Sequence, residues 1–441
     1  MNSPDKRHRP NARVSHPVAM RHARRPSRRP LGFIVRFATV GLAVVLVSTV
    51  SVAAIAVWET TGRLQPGIHL TAPTGSAAPV PGIGAAEGEV NILLTGTDTR
   101  TGQGGEFTSK DQLAGSSGVG NNDVTMVLHI SADHDNASVI SIPRDLVGPV
   151  PACPDPTNGD HPAREAAQFN TTLSEGGLNC VVLTAEKLTG LTIPFAAIIS
   201  FDGVIALSNA VGGVTVCLAS DVDDSDTGLH LQAGERTIQG DTALQFVRTR
   251  YGVGDGSDLG RISNQQVFLS ALMRKITSAG VLGNPVTLYS LANAAVANIT
   301  PSDTLTNPAS LVSIALAIKD ISLSRFVFVQ YPTDPDPDDR ARVIADKPAA
   351  QALVAALAAG QPLQLAGGLG VAAVAQSDPT PDAGAPSATA SAADPTDAPS
   401  DAPTDPTAAP SSPTPGSTAV TLPDNVSGQT AEEQTCTKGN N

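Results

Sequence analysis

The chain is predicted to be an α/β protein whose central β-sheet is flanked by helices on both faces. Three observations predict this. Short β-branched or apolar runs bounded by turn residues recur along the chain, segments with helical spacing fall between them, and nearly every aromatic and branched apolar residue lies within residues 88–365. The expected strands are Val90–Leu94, Val124–Ile130, Ala137–Ile142, Phe195–Phe201, Val214–Leu218 and Arg325–Gln330. Runs such as Val124-Thr-Met-Val-Leu-His-Ile130 are apolar enough to be central strands, buried on both faces. The expected helices are Leu178–Leu188, Asp202–Ala210, Asp241–Phe246, Asp258–Ser278 and Ala349–Ala358.

The segments flanking this core read differently. Of 28 Lys and Arg residues, ten precede residue 37, where Asp5 is the only acid. Residues 1–36 are therefore a basic arm, and Phe37–Trp58 is a run of 22 residues without a charge. As a helix rising about 1.5 Å per residue, that run spans roughly 33 Å, the thickness of a bilayer core. It is expected to be a single transmembrane helix. The arginines before it put the N-terminus in the cytoplasm and everything after Trp58 outside. A signal peptide cleaved near Ala54-Ile55-Ala56 is the weaker alternative, because its apolar core is usually only about 7–15 residues. Residues 59–87, rich in Pro, Gly, Ala and Thr, are expected to be a linker. Residues 366–441 are expected to be a disordered tail: from Gln376 onward there is no aromatic residue, and nine acids face one Lys. The net charge of −13 leaves no broad cationic surface for nucleic acid, which is not an expected partner. Cys153, Cys180, Cys217 and Cys436 are all on the expected outer side and are predicted to form two disulfides, with Cys153–Cys180 the shortest loop.

No G-x-S-x-G, G-x-x-x-x-G-K-[ST] or H-E-x-x-H motif is present, and Gly252-Val-Gly-Asp-Gly256 lacks dinucleotide-site spacing. Asp and Arg residues instead gather at the ends of predicted strands, where ligands of open α/β sheets bind. Asp98 and Arg100 end the first strand, Asp123 opens the second, and Arg144 and Asp145 close the third. Arg248 and Arg250 follow in a second block, then Arg261 and Gln265, four apart on one helix face. Asp98 and Asp123 offer oxygen ligands for a hard divalent cation, and the guanidinium forks suit phosphate. Together they read as a site for a metal-bound pyrophosphate. A blander reading stands beside it: surface ion pairs, Asp98 as a turn residue, Asp145 as a turn cap or a brace for Arg144, Gln265 as an exposed helix residue, Phe246 and Tyr251 as core.

The strand end Gly96-Thr-Asp-Thr-Arg100, Val139-Ile-Ser-Ile-Pro-Arg-Asp145, Gly212-Gly-Val214, Ala243-Leu-Gln-Phe-Val-Arg-Thr-Arg-Tyr251 and Asp258-Leu-Gly-Arg-Ile-Ser-Asn-Gln-Gln266 together resemble the LytR-CpsA-Psr family over about residues 88–330, and the three domain cysteines with Cys436, in Gln429-Thr-Ala-Glu-Glu-Gln-Thr-Cys436, resemble its actinobacterial type. The resemblance implies a mixed sheet and a membrane-anchored phosphotransferase of cell-wall assembly. Such an enzyme moves an anionic glycopolymer from a polyprenyl pyrophosphate carrier to peptidoglycan through a phosphodiester. It further implies that Asp98 and Asp123 hold Mg²⁺, that Asp98, Arg144, Arg248, Arg250 and Arg261 are catalytic, and that Arg100, Asp145 and Gln265 bind substrate. Asp98 is the candidate general base. The chain has Asn121-Asn122-Asp123 where the family commonly reads Arg-Ser-Asp or Arg-Thr-Asp, so one expected cation is missing. The rival readings are a polyprenyl-pyrophosphate hydrolase, differing only in its acceptor, and a non-enzymatic envelope regulator.

Overall fold

A computed structural model describes residues 66–71, 88–100, 119–155, 159–282, 284–376 and 419–440. The basic arm and the expected membrane span lie outside these residues. Among the described residues no helix is long and apolar enough to cross a membrane.

In chain order the strands are β1 (Val90–Thr97), β2 (Asn122–Ile130), β3 (Ala137–Ile142), β4 (Leu146–Val150) and β5 (Arg164–Gln168), followed by helix α1 (Thr172–Thr189). Next come β6 (Phe195–Ile199), α2 (Phe201–Ala210), β7 (Val214–Leu218), β8 (Val222–Asp224), β9 (Leu229–Leu231) and β10 (Gly234–Ile238). Helices α3 (Asp241–Arg248), α4 (Asp258–Thr277) and α5 (Pro285–Asn298) lead to β11 (Ile299–Pro301), α6 (Pro308–Lys319) and β12 (Phe326–Gln330). The chain then forms β13 (Thr333–Pro335), β14 (Val343–Ala345), α7 (Lys347–Ala358), β15 (Leu363–Leu365) and β16 (Ala373–Ala375), and finally β17 (Val420–Leu422), β18 (Gly428–Thr430) and β19 (Thr435–Thr437).

Seven strands make the central sheet, in the order β11-β6-β1-β2-β3-β12-β18. It is mixed: β1 pairs antiparallel with β2 and parallel with β6, and β3 pairs antiparallel with β2 and parallel with β12. The period-2 alternation of side chains sends neighbours to opposite cores. Leu93, Val127, Ile140 and Val327 pack with Val181 and Val182 of α1 and Leu353 of α7. Ile92, Val139, Phe195 and Phe328 pack on the other side with Leu269 of α4 and Ile314 of α6. With helices on both faces, all six residues of β3 are buried. Each expected strand and helix overlaps an observed one.

The domain boundaries need two corrections. The expected linker 59–87 contains a folded piece: Leu70 is buried, and Ile68 bridges to Ser302. The expected disordered tail 366–441 contributes β16 to β19, with β18 at one edge of the central sheet and β19 between β7 and β16. Composition misled here because this segment contributes little apolar area and is held in other ways. Its strands satisfy backbone groups, Gln429 is buried with its amide donating to Ser270 Oγ at 2.6 Å, and Cys436 is bonded to Cys217. The four cysteines form two disulfides, as expected, and the pairing that the sequence left open is Cys153–Cys180 and Cys217–Cys436.

The second disulfide closes a loop of 219 residues, so its removal relieves a large constraint on the unfolded chain. The double variant Cys217→Ser/Cys436→Ser is expected to lose about 2–5 kcal/mol of stability. Urea unfolding under oxidising conditions measures this. An unchanged midpoint would mean the C-terminal strands are held without the bond.

Candidate active site

The site begins where β1 runs past its partner. A register shift at Gly96/Thr97 sets Thr97 opposite Asn122 and carries Asp98 out of the sheet. The Asn121 N–H donates to Asp98 Oδ1 at 2.6 Å, and the Asp98 N–H donates to the Asn121 carbonyl at 3.1 Å. Gly120 makes this possible. Its φ is +74°, and a Cβ there would sit 2.5 Å from Asp98 Oδ1. Within Asn121-Asn122-Asp123 the three side chains diverge. Asn121 Oδ1 accepts from Ser174, Asn122 is fully buried and receives the Leu173 N–H at the start of α1, and Asp123 faces the cavity described below. Burial pushes the Asp98 carboxyl above the usual carboxylate range. The Asn121 N–H opposes that push, the charge of Asp123 adds to it, and Arg144 works against it.

A partly buried charge cluster joins this rim to α4. Arg144 Nη1 meets Asp123 Oδ2 at 3.0 Å. Arg261 Nη2 donates to Asp258 Oδ1 at 2.5 Å and to the Asp123 carbonyl at 2.9 Å, while the Arg144 N–H donates to Asp258 Oδ2 at 3.2 Å. Asp258 thus ties together two arginines that are 117 positions apart. The α4 N-terminus places it there, because Ser257 caps that helix by accepting the Gly260 N–H.

Asp145, expected to touch substrate, does not line the cavity. Its buried carboxylate binds Arg342 Nη1 at 2.7 Å and Gln168 Nε2 at 2.8 Å, with Arg144 Nε 3.7 Å away. It braces Arg144 from behind, which is the alternative the sequence left open.

The second block forms the opposite wall. Arg248 ends α3, with its guanidinium 4.4 Å over the ring of Phe201. Arg250 Nε donates to the Gly256 carbonyl at 3.1 Å. Gln265, buried rather than exposed, donates to the Val247 carbonyl at 2.9 Å and so grips the end of α3 beside Arg248. Phe246 is core as expected, whereas Tyr251 is 57% exposed. Asp224 was missed. Only 3% exposed at the end of β8, it accepts from Thr249 Oγ1 at 2.5 Å, the Arg250 N–H at 3.2 Å and the Gly252 N–H at 3.4 Å. Burial works against its charge, yet the hydrogen bonds from Thr249, Asp226, Arg250 and Thr227 outweigh it and hold the carboxyl below the usual range. Sequence reading had no signal for it, since Val222-Asp-Asp-Ser-Asp226 reads as a solvated acidic turn.

Both walls enclose a cavity of about 660 Å³. Of the nine residues singled out from sequence, eight line it: Asp98, Arg100, Asp123, Arg144, Arg248, Arg250, Arg261 and Gln265. The rest of the lining is largely apolar, from Leu94 and Met126 of the sheet, Val204 and Leu207 of α2, Leu244 of α3 and Leu269 and Leu272 of α4. Such an arrangement holds an amphiphile whose anionic head meets guanidinium groups while its hydrocarbon leaves water.

The LytR_cpsA_psr family model matches residues 61–357. The chain belongs to this family. The cell wall biosynthesis protein LcpA of Corynebacterium glutamicum is 31% identical over 234 residues, 49% of this chain and 45% of the relative. The polyisoprenyl-teichoic acid–peptidoglycan teichoic acid transferase TagU of Oceanobacillus iheyensis is 31% identical over 207 residues, covering 45% and 58%. The chain spans about half the length of these curated relatives. Among solved structures, the LytR-Csp2A-Psr enzyme of Actinomyces oris aligns over 67% of this chain and 95% of its own, at 22% identity and a TM-score of 0.47. Bacillus subtilis TagV aligns over 62% and 97%, at 22% identity and 0.46.

Asp224 holds the turn that presents Arg250, so Asp224→Ala is expected to weaken binding of an amphiphile with a diphosphate head at least tenfold. Its effect should not add to that of Arg250→Ala when the double variant is titrated by calorimetry. A group whose folded value is lowered stabilises above its unfolded value, near 3.8, and that stabilisation disappears as pH falls through the folded value. Asp224→Asn should therefore lose stability at pH 7 and much less at pH 3, as compared by urea midpoints.

Proposed function

We propose that this chain joins an anionic glycopolymer to peptidoglycan, taking it from a polyprenyl pyrophosphate carrier at the outer face of the membrane and leaving a phosphodiester link. The observation that carries the reading is the composite cavity: five arginines line it beside Asp98 and Asp123, and the remaining wall is largely hydrocarbon. The relatives named as polyisoprenyl-linked teichoic acid transferases support the substrate class.

The acceptor hydroxyl of the glycan attacks the phosphorus that bears the polymer. A new P–O–C ester forms as the bond to the bridging oxygen breaks, and polyprenyl monophosphate leaves with the electron pair. Asp98, whose carboxyl burial holds above the usual carboxylate range, takes the hydroxyl proton. Arg144, Arg248, Arg250 and Arg261 hold the diphosphate and meet the charge that grows on the departing oxygen. Arg100 lines the same cavity and binds substrate, while Asp145 and Gln265 act through their neighbours: one braces Arg144, the other fixes the end of α3.

The donor set suits a magnesium ion shared with a diphosphate. Mg²⁺ is commonly held by one or two carboxylates plus substrate phosphates, and Asp98 and Asp123 both face the cavity, where the Asp123 charge adds to the burial that raises the Asp98 value. When bound, the ion neutralises diphosphate charge and polarises the phosphoryl group.

The test is incubation of the full chain in vesicles with labelled lipid-linked polymer, peptidoglycan and Mg²⁺. Label appearing in peptidoglycan supports the transferase, and free polymer phosphate alone would make the chain a hydrolase. Arg248→Ala and Arg250→Ala are each expected to slow transfer by about 10²–10³-fold, the scale seen when one transition-state donor is removed. Arg261→Ala should also destabilise the fold, by about 3–5 kcal/mol, because it strips a buried carboxylate of its partner. Mg²⁺ at about 100 times its Kd should add about 2.7 kcal/mol of stability. That increment should vanish in Asp98→Asn, and its survival would remove Asp98 from the metal site.

A further inference from the structure

From Ile276 to Ser302 the chain runs 27 residues without an acidic or basic side chain or a histidine, although charged residues make up 16% of the whole. This stretch contains α5, a complete helix capped by Asn284, whose Oδ1 accepts the Val286 and Thr287 N–H groups. The helix is only partly used by the core. Leu291 joins the apolar cluster that includes Leu269 and Leu272, two residues lining the cavity. Val286 is 76% and Leu288 38% exposed at its start. An exposed, uncharged apolar end on a helix that packs through Leu291 with two residues of the cavity wall is what a partner with a nonpolar interior would cover.

The folded piece of the linker indicates that partner. The Ile68 N–H donates to the Pro301 carbonyl at 2.9 Å, the Asp303 N–H donates to the Ile68 carbonyl at 3.0 Å, and His69 pairs with Asp303 at 2.6 Å. The chain is therefore sewn to the domain just past the C-terminal end of α5. Nine residues separate Ile68 from Trp58, the last residue of the uncharged run Phe37–Trp58. Ten peptide steps reach at most roughly 36 Å. Lys275 and Thr287 line a shallow cleft between α4 and α5, placing an ammonium group where lipid phosphates would lie.

We propose that α5 is a membrane-docking helix: its N-terminal apolar residues Val286 and Leu288 enter the headgroup region of the bilayer that anchors the chain, setting the apolar end of the cavity against the lipid from which the carrier comes. The inference rests on the membrane-anchored reading given above.

All four cysteines are in disulfides, so a thiol introduced by Val286→Cys is unique and takes a spin label. Val371→Cys serves as the control: Val371 is 49% exposed and lies beside Gly260, near the opposite end of α4 from Lys275. Neither residue lines the cavity. The full chain is reconstituted into vesicles of phosphatidylethanolamine and phosphatidylglycerol, floated on a gradient, and probed with oxygen and a water-soluble nickel chelate. The expected result is a ratio of oxygen to nickel accessibility at least fivefold higher at position 286 than at 371. A chain that floats while the two positions give equal ratios overturns the docking and leaves the anchor standing. A chain that does not float overturns the anchor and the docking with it. Dipolar broadening between labels at 286 would place a second copy of the chain on α5 and also overturn the proposal.

Discussion

The site depends on one buried carboxylate. Asp258 is 5% exposed and receives both the Arg261 guanidinium and the Arg144 N–H, while Arg144 and Arg261 each also hold a part of Asp123. Removing Asp258 and Arg261 from water is costly, Arg144 and Asp123 stay partly exposed, and an ion cluster of this kind is weak evidence for stability. Its geometric consequence is clear: the end of β3, the start of β2 and the first turn of α4 are fixed to one another through charges, and that fixes two guanidinium groups on the cavity wall. The Nε atoms of Arg144 and Arg261 are buried without a hydrogen-bond partner among the described residues, so the arginines are not fully satisfied by the protein.

A second layer holds the first. Asp145, with Arg342 and Gln168, braces Arg144 from the side away from the cavity, and Asp224 organises the turn that carries Arg250. Both carboxylates come from short strands or strand ends outside the main apolar pattern. The C-terminal strands add to this support. The Gly254 N–H donates to the Lys438 carbonyl at 2.9 Å, and the Asn440 N–H donates to the Gly252 carbonyl at 3.0 Å. The loop after Arg250 is thereby pinned by a segment nearly two hundred residues downstream.

Much of this was legible in the residues. Strands β1, β2, β3, β6 and β12 are apolar runs because both faces of the central sheet are covered, β7 of the second sheet shows the alternation of a strand with one open face, and long periodic helices such as α4 announce themselves by their spacing. Asp98, Arg100, Asp123 and Arg144 were found because they stand at strand ends, where backbone pairing stops and side chains are free to face a ligand, and Arg248, Arg250 and Arg261 because they follow as a second block at the end of α3, in the loop after it and in α4. What was not legible rests on polar contacts between segments distant in the chain. Asp224 looks like any residue of an acidic turn until five donors are seen converging on it. Gln429, Thr435 and Thr437 look like residues of a solvated tail, yet all three are buried in hydrogen bonds with one another or with α4. Asp145 follows an arginine that faces the cavity, but the two occupy a turn closed by the Leu146 N–H to the Pro143 carbonyl, and Asp145 lies on its other side.

The charged rim and the apolar interior are two halves of one binding surface, and the account stands on their being used together. The most direct measurement is a crystal structure of the chain with a polyprenyl pyrophosphate bound. The diphosphate should lie within hydrogen-bond distance of Arg144, Arg250 and Arg261, with its hydrocarbon running between α2 and α4 past Leu207 and Leu272. A headgroup bound elsewhere, or a hydrocarbon chain outside the cavity, would contradict the account.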